Sequence, residues 1–543
     1  MDKSVREWAP CPRKWGRTLL LSGVLLLWLA LGMGLGRGRA IQAALPEGGR
    51  IQPRLAQELA TAQEPVSFLV ILADQPDPAA YLASAGLSRA NKEVRGRALY
   101  RYLTRYALTR QRSLRAWLVG RGVSFRPFYL VNALEVQGDA RLAWELAVRP
   151  EVARLVANPQ VALERPRVEE RHLVAPRGQA TIPLPYGIEQ THAPAVWDQG
   201  YRGQGIVVAS QDTGVLWEHP ALKLRYRGWD PDTGTASHVY NWFDAWGSQG
   251  RPAECDPDPQ VPCDDNGHGT HTVGTMLGHD PNGAGGEVIV GMAPEAQWIG
   301  CRNMRQGAGT PASYMACFQF FLAPYPQGGD PFRDGKPELA PHIINNSWYC
   351  PPDEGCDLAS LAQATAAAAA AGQLVVASAG NAGPNCSTVQ YPISAYADVF
   401  SVGAHDSSGT IASFSSRGPV TADGSGRLKP EITAPGVAVF STYNNGSYTF
   451  LSGTSMASPH VAGAVALLWS AAPHLIGQLD ETRRILEATA TPVPTNQCGE
   501  GGQPVTPNNT YGYGRLDVAR AVAFALTPYR YYFPWVAVER ETP

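Results

Sequence analysis

After residue 186 the chain alternates short, continuously apolar runs with Ala-rich segments of helical length. The predicted strands are 206–210, 297–301, 343–347, 374–378, 399–404 and 437–441, and the predicted helices are 312–322, 358–371 and 458–470. A strand that is apolar along its whole length is buried on both faces, which is typical of a parallel sheet covered by helices. The pattern therefore predicts an α/β domain with its ligand site at the carboxyl ends of the strands.

The preceding hundred or so residues predict a smaller α/β unit. Strands are predicted at 66–72, 123–136 and 152–157, and a long helix at 89–121. Within this helix, arginines follow one another with hardly an acidic residue among them: Arg95, Arg97, Arg101, Arg105, Arg110, Arg112 and Arg115. They indicate either a solvated face or a surface that docks onto an acidic partner domain, and the sequence leaves both open.

The N-terminus has the order of a targeting segment. Basic residues precede an apolar run at 19–35, and small residues follow at Ala40, Ala43 and Ala44. This order is typical of a signal peptide, although the run is long enough for a membrane anchor. We expect residues 1–44 to direct export, with cleavage near Ala43 or Ala44 and a retained anchor as the alternative.

Chain length and composition predict how the residues after the targeting segment are divided into domains. A chain of 543 residues exceeds the roughly 250–300 at which single cores stop growing. Residues 165–185 contain proline and charge without periodicity, which predicts an exposed linker open to proteolysis. We expect folded domains at 45–164 and 186–525, followed by an aromatic extension at 526–543.

Charge and cysteine content narrow the function. The net charge of −2 gives no electrostatic reason to expect nucleic acid as a partner. Eight of the nine cysteines follow residue 254, which in an exported chain indicates disulfides. Cys255 with Cys263, and Cys350 with Cys356, would each close a short loop. The other four could pair among themselves: Cys301, Cys317, Cys386 and Cys498. A zinc cluster is disfavoured, because no Cys-x-x-Cys occurs.

An aspartate and a histidine lie in positions suited to acid–base chemistry. Asp212 follows the strand 206–210 and starts Asp-Thr-Gly, which also occurs in aspartic proteases and ordinary turns. The segment 264–271, Asp-Asp-Asn-Gly-His-Gly-Thr-His, places His268 and His271 where a helix begins. A metal pair would need a third ligand and commonly i, i+4 spacing, and neither is evident. The flanking glycines favour His268 as a catalytic base and His271 as a packed or hydrogen-bonded neighbour.

A serine lies near the start of an apolar predicted helix. Ser455 is the third residue of 453–460, Gly-Thr-Ser-Met-Ala-Ser-Pro-His. Backbone N–H groups and the helix dipole favour negative charge there. A simple N-cap is the alternative role for such a serine. The octapeptide as a whole favours a nucleophile.

These three segments, in the order Asp, His, Ser, resemble the subtilisin family of serine peptidases. The resemblance covers about 186–523 and is nearest to bacillopeptidase F-like members, as in Asn-Asn-Ser-Trp at 345–348. The stretch from about 66 to 164 resembles the family's inhibitory prosegment. A three-layer α/β fold with a mainly parallel sheet, preceded by a small α/β prosegment domain, is what the resemblance implies.

The resemblance also implies a role for each matching residue. Ser455 would attack the peptide carbonyl, His268 would transfer its proton, and Asp212 would orient the imidazole. Asn381, in Ala-Gly-Asn, would donate to the oxyanion together with the Ser455 N–H. Six residues in two segments would flank the substrate: Ser347, Trp348, Tyr349, Ser378, Ala379 and Gly380. Gln390, just before Tyr-Pro, would lie at the base of the primary pocket and disfavour large aromatic side chains.

The implied function is a secreted serine endopeptidase that cleaves proteins and peptides. It would be made as a self-processing zymogen, be inhibited by its own prosegment and act as a monomer. No cofactor would be required for catalysis; the acidic loops near Asp230 and Asp256 are candidates for structural calcium, with solvated turns as the alternative. A lipase- or esterase-like hydrolase is disfavoured, because those enzymes order Ser, acid, His around Gly-x-Ser-x-Gly. A catalytically inactive binding protein on the same fold is the remaining alternative.

Overall fold

The computed structural model describes residues 49–163, 167–168, 183–248, 251–253, 255–283, 286–351, 356, 358–499 and 503–527. All of them belong to one compact unit, which begins at Glu47. We call residues 49–163 the N-terminal subdomain and residues 183–527 the main subdomain. The expected targeting segment, most of the expected linker and nearly all of the aromatic tail lie outside the described residues. In the described part, no helix has the length and apolarity to cross a bilayer.

The N-terminal subdomain is a four-stranded antiparallel sheet with helices. Its strands are β1 Val66–Leu72, β2 Phe125–Phe128, β3 Ala133–Gly138 and β4 Val152–Ala157, in the order β2-β3-β1-β4. Two short strands follow, β5 Val161–Ala162 and β6 Arg167–Val168. The helices are α1 Pro53–Thr61, α2 Pro78–Ser84, α3 Lys92–Arg110, α4 Arg112–Gly120 and α5 Ala140–Ala147. Both faces of this sheet are covered, since Leu69 and Ile71 of β1 belong to one apolar cluster and Phe68, Val70 and Leu72 to another.

The helix predicted at 89–121 is two helices, α3 and α4. Asn91 caps α3 by accepting a hydrogen bond from the Val94 N–H. At the junction, the buried Gln111 side chain donates to the Phe128 carbonyl and to Asn132 Oδ1. The helix is therefore interrupted where a polar side chain is held by the β2–β3 hairpin. That hairpin replaces the single strand predicted at 123–136.

The main subdomain contains a seven-stranded, wholly parallel sheet. Its strands are β7 Val207–Asp212, β10 Trp242–Asp244, β13 Gln297–Arg302, β16 Ile343–Asn346, β17 Leu374–Ser378, β18 Phe400–His405 and β19 Ile432–Pro435. Their order is β10-β13-β7-β16-β17-β18-β19. Short strands form hairpins around it: β8 Trp229–Asp230, β9 Thr235–Ala236, β11 His279–Asp280, β12 Val288–Ile289, β14 Met304–Arg305, β15 Ala308–Gly309, β20 Val439–Thr442 and β21 Tyr448–Ser452.

Helices cover both faces of this sheet. They are α6 Tyr186–Gln190, α7 Ala193–Trp197, α8 Pro220–Lys223, α9 His268–Leu277, α10 Pro311–Leu322, α11 Ala362–Ala370, α12 Thr454–Ala471, α13 Leu479–Thr489 and α14 Val518–Leu526. Neighbouring β7 residues face opposite sides, since Val208 packs with α9 and α12 whereas Ala209 packs with α10 and α11. The predicted three-layer fold with a parallel sheet is confirmed.

The parallel sheet differs from the prediction at two strands: one predicted strand lies outside it, and one strand within it was not predicted. The segment predicted at 437–441 pairs with β21 in a hairpin outside the parallel sheet. The edge position after β18 belongs instead to β19, whose sequence is Ile-Thr-Ala-Pro. Four residues ending in proline lack the continuous apolar run on which the prediction depended.

The two subdomains share an apolar core. One face of the N-terminal sheet packs on α1, α4 and α5, and its other face, together with α3, packs on α10 and α11. At this contact the Tyr129 N–H donates to the Gln319 side chain at 2.8 Å, and the Tyr129 hydroxyl donates to the Gln319 carbonyl at 3.0 Å. The N-terminal subdomain is thus docked by burial and by satisfied polar groups.

Four disulfides link the eight cysteines expected to pair. Both expected short loops are present, Cys255–Cys263 and Cys350–Cys356. The remaining pairs, which the sequence left open, are Cys301–Cys317 and Cys386–Cys498. The first connects β13 to α10, and the second connects the segment after Asn381 to the C-terminal loop.

Candidate functional site

The candidate site lies at the carboxyl ends of β7 and β16. These strands are parallel neighbours in which Gln211 is paired with Asn346. The next residues, Asp212 and Ser347, therefore leave the sheet side by side, about 4.8 Å apart in the hydrogen-bonding direction. A parallel sheet places its ligand site at this edge.

Asp212 holds the ring of His268. The Nδ1 of His268 donates to Asp212 Oδ1 at 2.7 Å, and both side chains are 1% exposed. His268 is the first residue of α9, and Gly269 lets this helix approach β7 closely. A Cβ at Gly269 would overlap the Gly214 carbonyl and lie 3.1 Å from the Asp212 Cβ. The glycine beside the histidine thus has a steric role that the sequence only suggested.

Two residues not singled out from the sequence support this contact. The Thr213 hydroxyl donates to Asp264 at 2.8 Å and accepts the Gly269 N–H at 2.9 Å. The other Asp264 oxygen accepts the N–H and hydroxyl of Thr270. Burial raises the pKa of Asp264, and hydrogen bonds from Thr270 and nearby N–H groups oppose that shift. Asp264 therefore ties the start of α9 to the turn after Asp212.

Ser455 lies beside Ser347 at the start of α12. Its hydroxyl donates to the Ser347 carbonyl at 3.1 Å, while the Ser347 hydroxyl donates to the Ser455 carbonyl at 2.9 Å. Since Ser347 neighbours Asp212, this places Ser455 and His268 around the same strand ends. The His268 Nε2 is buried and has no hydrogen-bond partner among the described residues. This nitrogen is thus available as an acceptor, because the ring proton on Nδ1 is used by Asp212.

Asn381 and the Ser455 N–H line one space. The Asn381 Oδ1 accepts from the Thr454 N–H at 2.9 Å and from the Thr454 hydroxyl at 2.8 Å, which turns its Nδ2 the other way. A Cβ built on Gly453 would lie 3.7 Å from both Asn381 Nδ2 and the Ser455 nitrogen. Glycine keeps this space open, and two N–H donors border it. Such a pair can stabilise negative charge on a small oxygen.

Comparison with known proteins identifies the family. The profile described as "Subtilase family" matches residues 203–514. Bacillopeptidase F of Bacillus subtilis (strain 168) is 34% identical over 74% of this chain, and the match covers 26% of that protein. Subtilisin DY of Bacillus licheniformis is 35% identical over 57% of this chain and 92% of its own. Subtilisin BL of Lederbergia lenta is 34% identical over 59% of this chain and 96% of its own.

The chain belongs to the subtilase family. This confirms the family expected from the three motifs and places the chain among the serine peptidases. The chain spans about a quarter of the length of bacillopeptidase F, whereas its matches span nearly all of the two subtilisins.

In this subtilase the two predicted substrate-flanking segments follow β16 and β17. Trp348 is buried and stacks on Tyr314, with ring centroids 3.8 Å apart, and Tyr349 stacks on Tyr391 at 5.5 Å. In the second segment, Ser378 ends β17, Ala379 is buried, and the Gly380 N–H donates to the Thr454 hydroxyl at 3.2 Å. Both segments therefore border the site, and their contact with substrate stays a prediction.

Gln390 is held by backbone groups on both sides of its amide. Its nitrogen donates to the Ser387 and Pro419 carbonyls, and its oxygen accepts from the N–H groups of Thr421 and Ala422. Protein atoms thus already satisfy this amide, so an apolar side chain above it would leave no donor or acceptor unpaired. The place of Gln390 at the base of the primary pocket stays a prediction. The amide's visible role is to join two loops of the subtilase.

His271 and the acidic loops show no metal chemistry in the described residues. The His271 Nε2 donates to the Val439 carbonyl at 3.0 Å, and burial lowers the pKa of His271 to about 3, so the ring is neutral. Asp230 and Asp256 each accept hydrogen bonds from their own turns. Within the described ranges no three His, Cys, Asp or Glu side chains are grouped to hold a metal ion. Structural calcium at these two loops therefore stays a prediction.

The end of the N-terminal subdomain and the short strand β6 that follows it pair with two segments that border the site. On one side, β5 is antiparallel to β15, and the Leu163 N–H donates to the Gly307 carbonyl at 2.6 Å. On the other side, β6 is antiparallel to β21, with Arg167 opposite Ser452. Ser452 lies three residues before Ser455. The chain between Leu163 and Arg167 therefore begins and ends beside the candidate site.

Proposed function

We propose that this subtilase is a serine endopeptidase that cleaves proteins and peptides through an acyl-enzyme on Ser455. The observation that carries the proposal is the buried 2.7 Å bond from His268 to Asp212, beside a serine at a helix N-terminus. Aspartate would keep the proton on Nδ1, so that Nε2 can act as a base. Asn381 and the Ser455 N–H would receive the oxyanion.

The reaction begins with a rotation of the Ser455 hydroxyl from the Ser347 carbonyl toward His268 Nε2. His268 takes the hydroxyl proton as the oxygen attacks the substrate carbonyl carbon, and Asp212 stabilises the imidazolium that forms. The carbonyl π electrons move onto oxygen, which the two N–H donors above Gly453 would stabilise.

The tetrahedral intermediate then collapses. The C–N bond breaks, His268 returns the proton to the leaving amine, and an ester to Ser455 remains. Water attacks this ester by the same steps in reverse, with His268 again as base, and frees the carboxylate product. No step requires a metal or cofactor.

A serine-directed phosphonate tests the nucleophile and excludes the inactive binding protein. We expect a single adduct on Ser455 by mass spectrometry, and none on the Ser455→Ala variant. Ser458→Ala, which changes a neighbouring serine, should still be labelled. Peptidase activity should fall by about a millionfold in Ser455→Ala, the loss measured for the equivalent change in subtilisin. Substantial turnover by purified Ser455→Ala would falsify the assignment.

We further propose that residues 45–164 are an inhibitory prosegment of a self-processing, exported precursor that acts as a monomer after cleavage. Two backbone pairings support this. The β5–β15 pair occupies an open strand edge as an extended peptide would, and β6 continues on the other side along β21. The four-residue span from Leu163 to Arg167 can reach about 14 Å at most. Cleavage is therefore proposed between Leu163 and Arg167, at the upstream margin of the expected 165–185 linker.

Maturation can be followed by N-terminal mass spectrometry. The active chain should yield a new N-terminus between residues 164 and 167, and Ser455→Ala should accumulate uncleaved in a host without other proteases. Ser458→Ala should mature normally. If Ser455→Ala produces the same new terminus in that host, self-processing is wrong while the peptidase proposal stands.

A further inference from the structure

The two subdomains carry opposite charges that the whole-chain value conceals. Residues 49–163 contain 16 Lys and Arg against 9 Asp and Glu, a net charge of +7. Residues 183–527 contain 16 Lys and Arg against 30 Asp and Glu, a net charge of −14. The chain as a whole has −2. Removal of the N-terminal subdomain would therefore change a nearly neutral protein into a strongly acidic one.

Part of the positive charge forms a line along α3. Arg97, Arg101 and Arg105 are four residues apart, so their side chains share one helix face and span about 12 Å. All three are exposed, and none of their guanidinium groups makes a hydrogen bond or ion pair with any residue in the described ranges. We call these three residues the basic stripe. Leu108, 40% exposed, follows on the same face.

The opposite face of α3 is the one that touches the main subdomain. There the Lys92 ammonium donates to the Ala340 carbonyl at 2.6 Å, and the Tyr100 hydroxyl donates to the Pro331 carbonyl at 3.1 Å. The basic stripe is therefore not used in docking and points to solvent. An unpaired row of arginines with an exposed leucine is suited to a flat, negatively charged surface that has an apolar interior.

We propose that the basic stripe binds an anionic phospholipid surface and holds the precursor there until cleavage releases the acidic main subdomain. The inference rests on the proposed maturation. Charge complementarity and the exposed leucine favour a bilayer over a soluble polyanion. The position of the stripe in the chain agrees with a bilayer partner. The apolar run at 19–35 ends 16 residues before Ile51, so the N-terminal subdomain can lie no more than about 55 Å from the end of that run. After cleavage, like charges would repel the released domain from the same surface.

Vesicle sedimentation tests the proposal independently of proteolysis. The protein is the Ser455→Ala precursor beginning at residue 45, which lacks the apolar run that would bind any bilayer. We expect it to bind vesicles containing about 30% phosphatidylglycerol and not neutral phosphatidylcholine vesicles. Binding should weaken steeply as salt is raised. The separately prepared main subdomain, released by the active enzyme, should not bind.

Arg97→Gln/Arg101→Gln/Arg105→Gln should weaken vesicle binding by on the order of 100-fold, at about fivefold per arginine. The matched control removes three other exposed arginines of the same subdomain, Arg54, Arg121 and Arg141, each paired with a glutamate. This control loses the same formal charge and should keep most of the binding. Circular dichroism and thermal unfolding verify that both triple variants are folded.

Four outcomes would overturn the proposal: equal binding by both triple variants, binding to neutral vesicles, binding by the main subdomain alone, or no vesicle binding. Binding to DNA or polyphosphate without binding to vesicles would assign the stripe to a soluble polyanion instead. Because the precursor here is inactive, each result leaves the peptidase proposal untouched.

Discussion

Thr454 links the proposed oxyanion donors, although it would not touch the substrate. Its hydroxyl donates to Asn381 Oδ1 and accepts the Gly380 N–H, so it fixes the direction of the Asn381 amide. Thr454→Val keeps the shape but removes one of the two anchors. We expect a decrease in kcat of about fivefold with little change in KM, since one hydrogen bond contributes about 1 kcal/mol.

Steady-state kinetics with a peptide substrate measures this effect. Thr454→Ser retains the hydroxyl and should be close to the parent. Asn381→Ala, which removes the donor itself, should lose about 100- to 1,000-fold in kcat, the range known from subtilisin. A Thr454→Val variant as active as the parent would mean that the backbone N–H alone orients Asn381.

At the scale of single residues, the sequence singled out the groups to which we assign chemical roles and missed those that position them. Asp212, His268 and Ser455 stand in short motifs that can be recognised locally. Thr213 and Asp264 interact across 51 residues, so no local pattern announces their hydrogen bond. The pairing of Gln390 with two loop backbones depends in the same way on where the chain returns.

In α13, the carboxyl group of Glu487 lies where its charged form is disfavoured. Burial, together with the negative charge of Glu431, raises the pKa of Glu487 from 4.5 to about 7, despite the cations of Arg483 and Lys429. The folded state therefore binds this proton more tightly than the unfolded state. The stability that protonation contributes is fully present below pH 4.5 and is lost as the pH rises through 7.

Glu487→Gln should remove the stability loss that accompanies ionisation of this carboxyl group, because glutamine stays neutral at every pH. In the Ser455→Ala background, urea unfolding at pH 8 should show a gain of on the order of 1–2 kcal/mol over the parent, with little difference at pH 4.5. Glu218→Gln, a change at an exposed carboxylate, should show no such pH dependence. An equal effect of Glu487→Gln at both pH values would indicate a packing change instead.

Among the elements, prediction succeeded where the apolar pattern was long. The strand at 66–72 and the strand at 374–378 have the predicted bounds, because each contains a single serine in an otherwise apolar run. The junction at Gln111 was missed because its cause is a side chain bonded to a distant hairpin. Short edge strands such as β19 depend on their neighbours in the sheet and carry little signal of their own.

Across the whole molecule, docking of the N-terminal subdomain buries a lysine, Lys92, that forms no ion pair within the described ranges. Burial beneath the main subdomain lowers the pKa of Lys92 to about 8; the negative charge of Glu93 raises it, and the cations of Arg227 and Arg95 lower it further. When the precursor unfolds, this ammonium returns to water and to its ordinary pKa. The cost of burying its charge is therefore present below pH 8 and is relieved as the pH rises from 8 to 10.5.

Lys92→Met keeps the aliphatic stem and removes the charge. Relative to the parent, the variant precursor should be more stable at pH 7 by up to a few kcal/mol, and this advantage should shrink as the pH approaches 10.5. Urea unfolding of both proteins in the Ser455→Ala background measures the difference. Because both proteins contain the same tyrosines, the titration of those tyrosines at high pH cancels in the comparison. A pH-independent difference would show that Lys92 is not the group responsible.

The balance of charge is a whole-molecule property that composition alone misrepresents. From the value of −2 we concluded only that nucleic acid is not an expected partner. The fold then shows that +7 and −14 belong to different subdomains, and that part of the positive charge is unpaired on one helix. A sum over the chain cannot report where charges lie.

Arg95 of α3 enters a notch between Gly372 and Gly477 and donates to the Gly477 carbonyl. A Cβ on either glycine would overlap the Arg95 guanidinium. If the N-terminal subdomain is discarded at maturation, the finished enzyme carries a notch that nothing fills. Both glycines also have a positive φ, +85° at Gly372 and +76° at Gly477, so a side chain at either position would strain the main subdomain itself. Natural selection would therefore act on these two positions twice, once through docking of Arg95 during maturation and once through the backbone of the enzyme that remains.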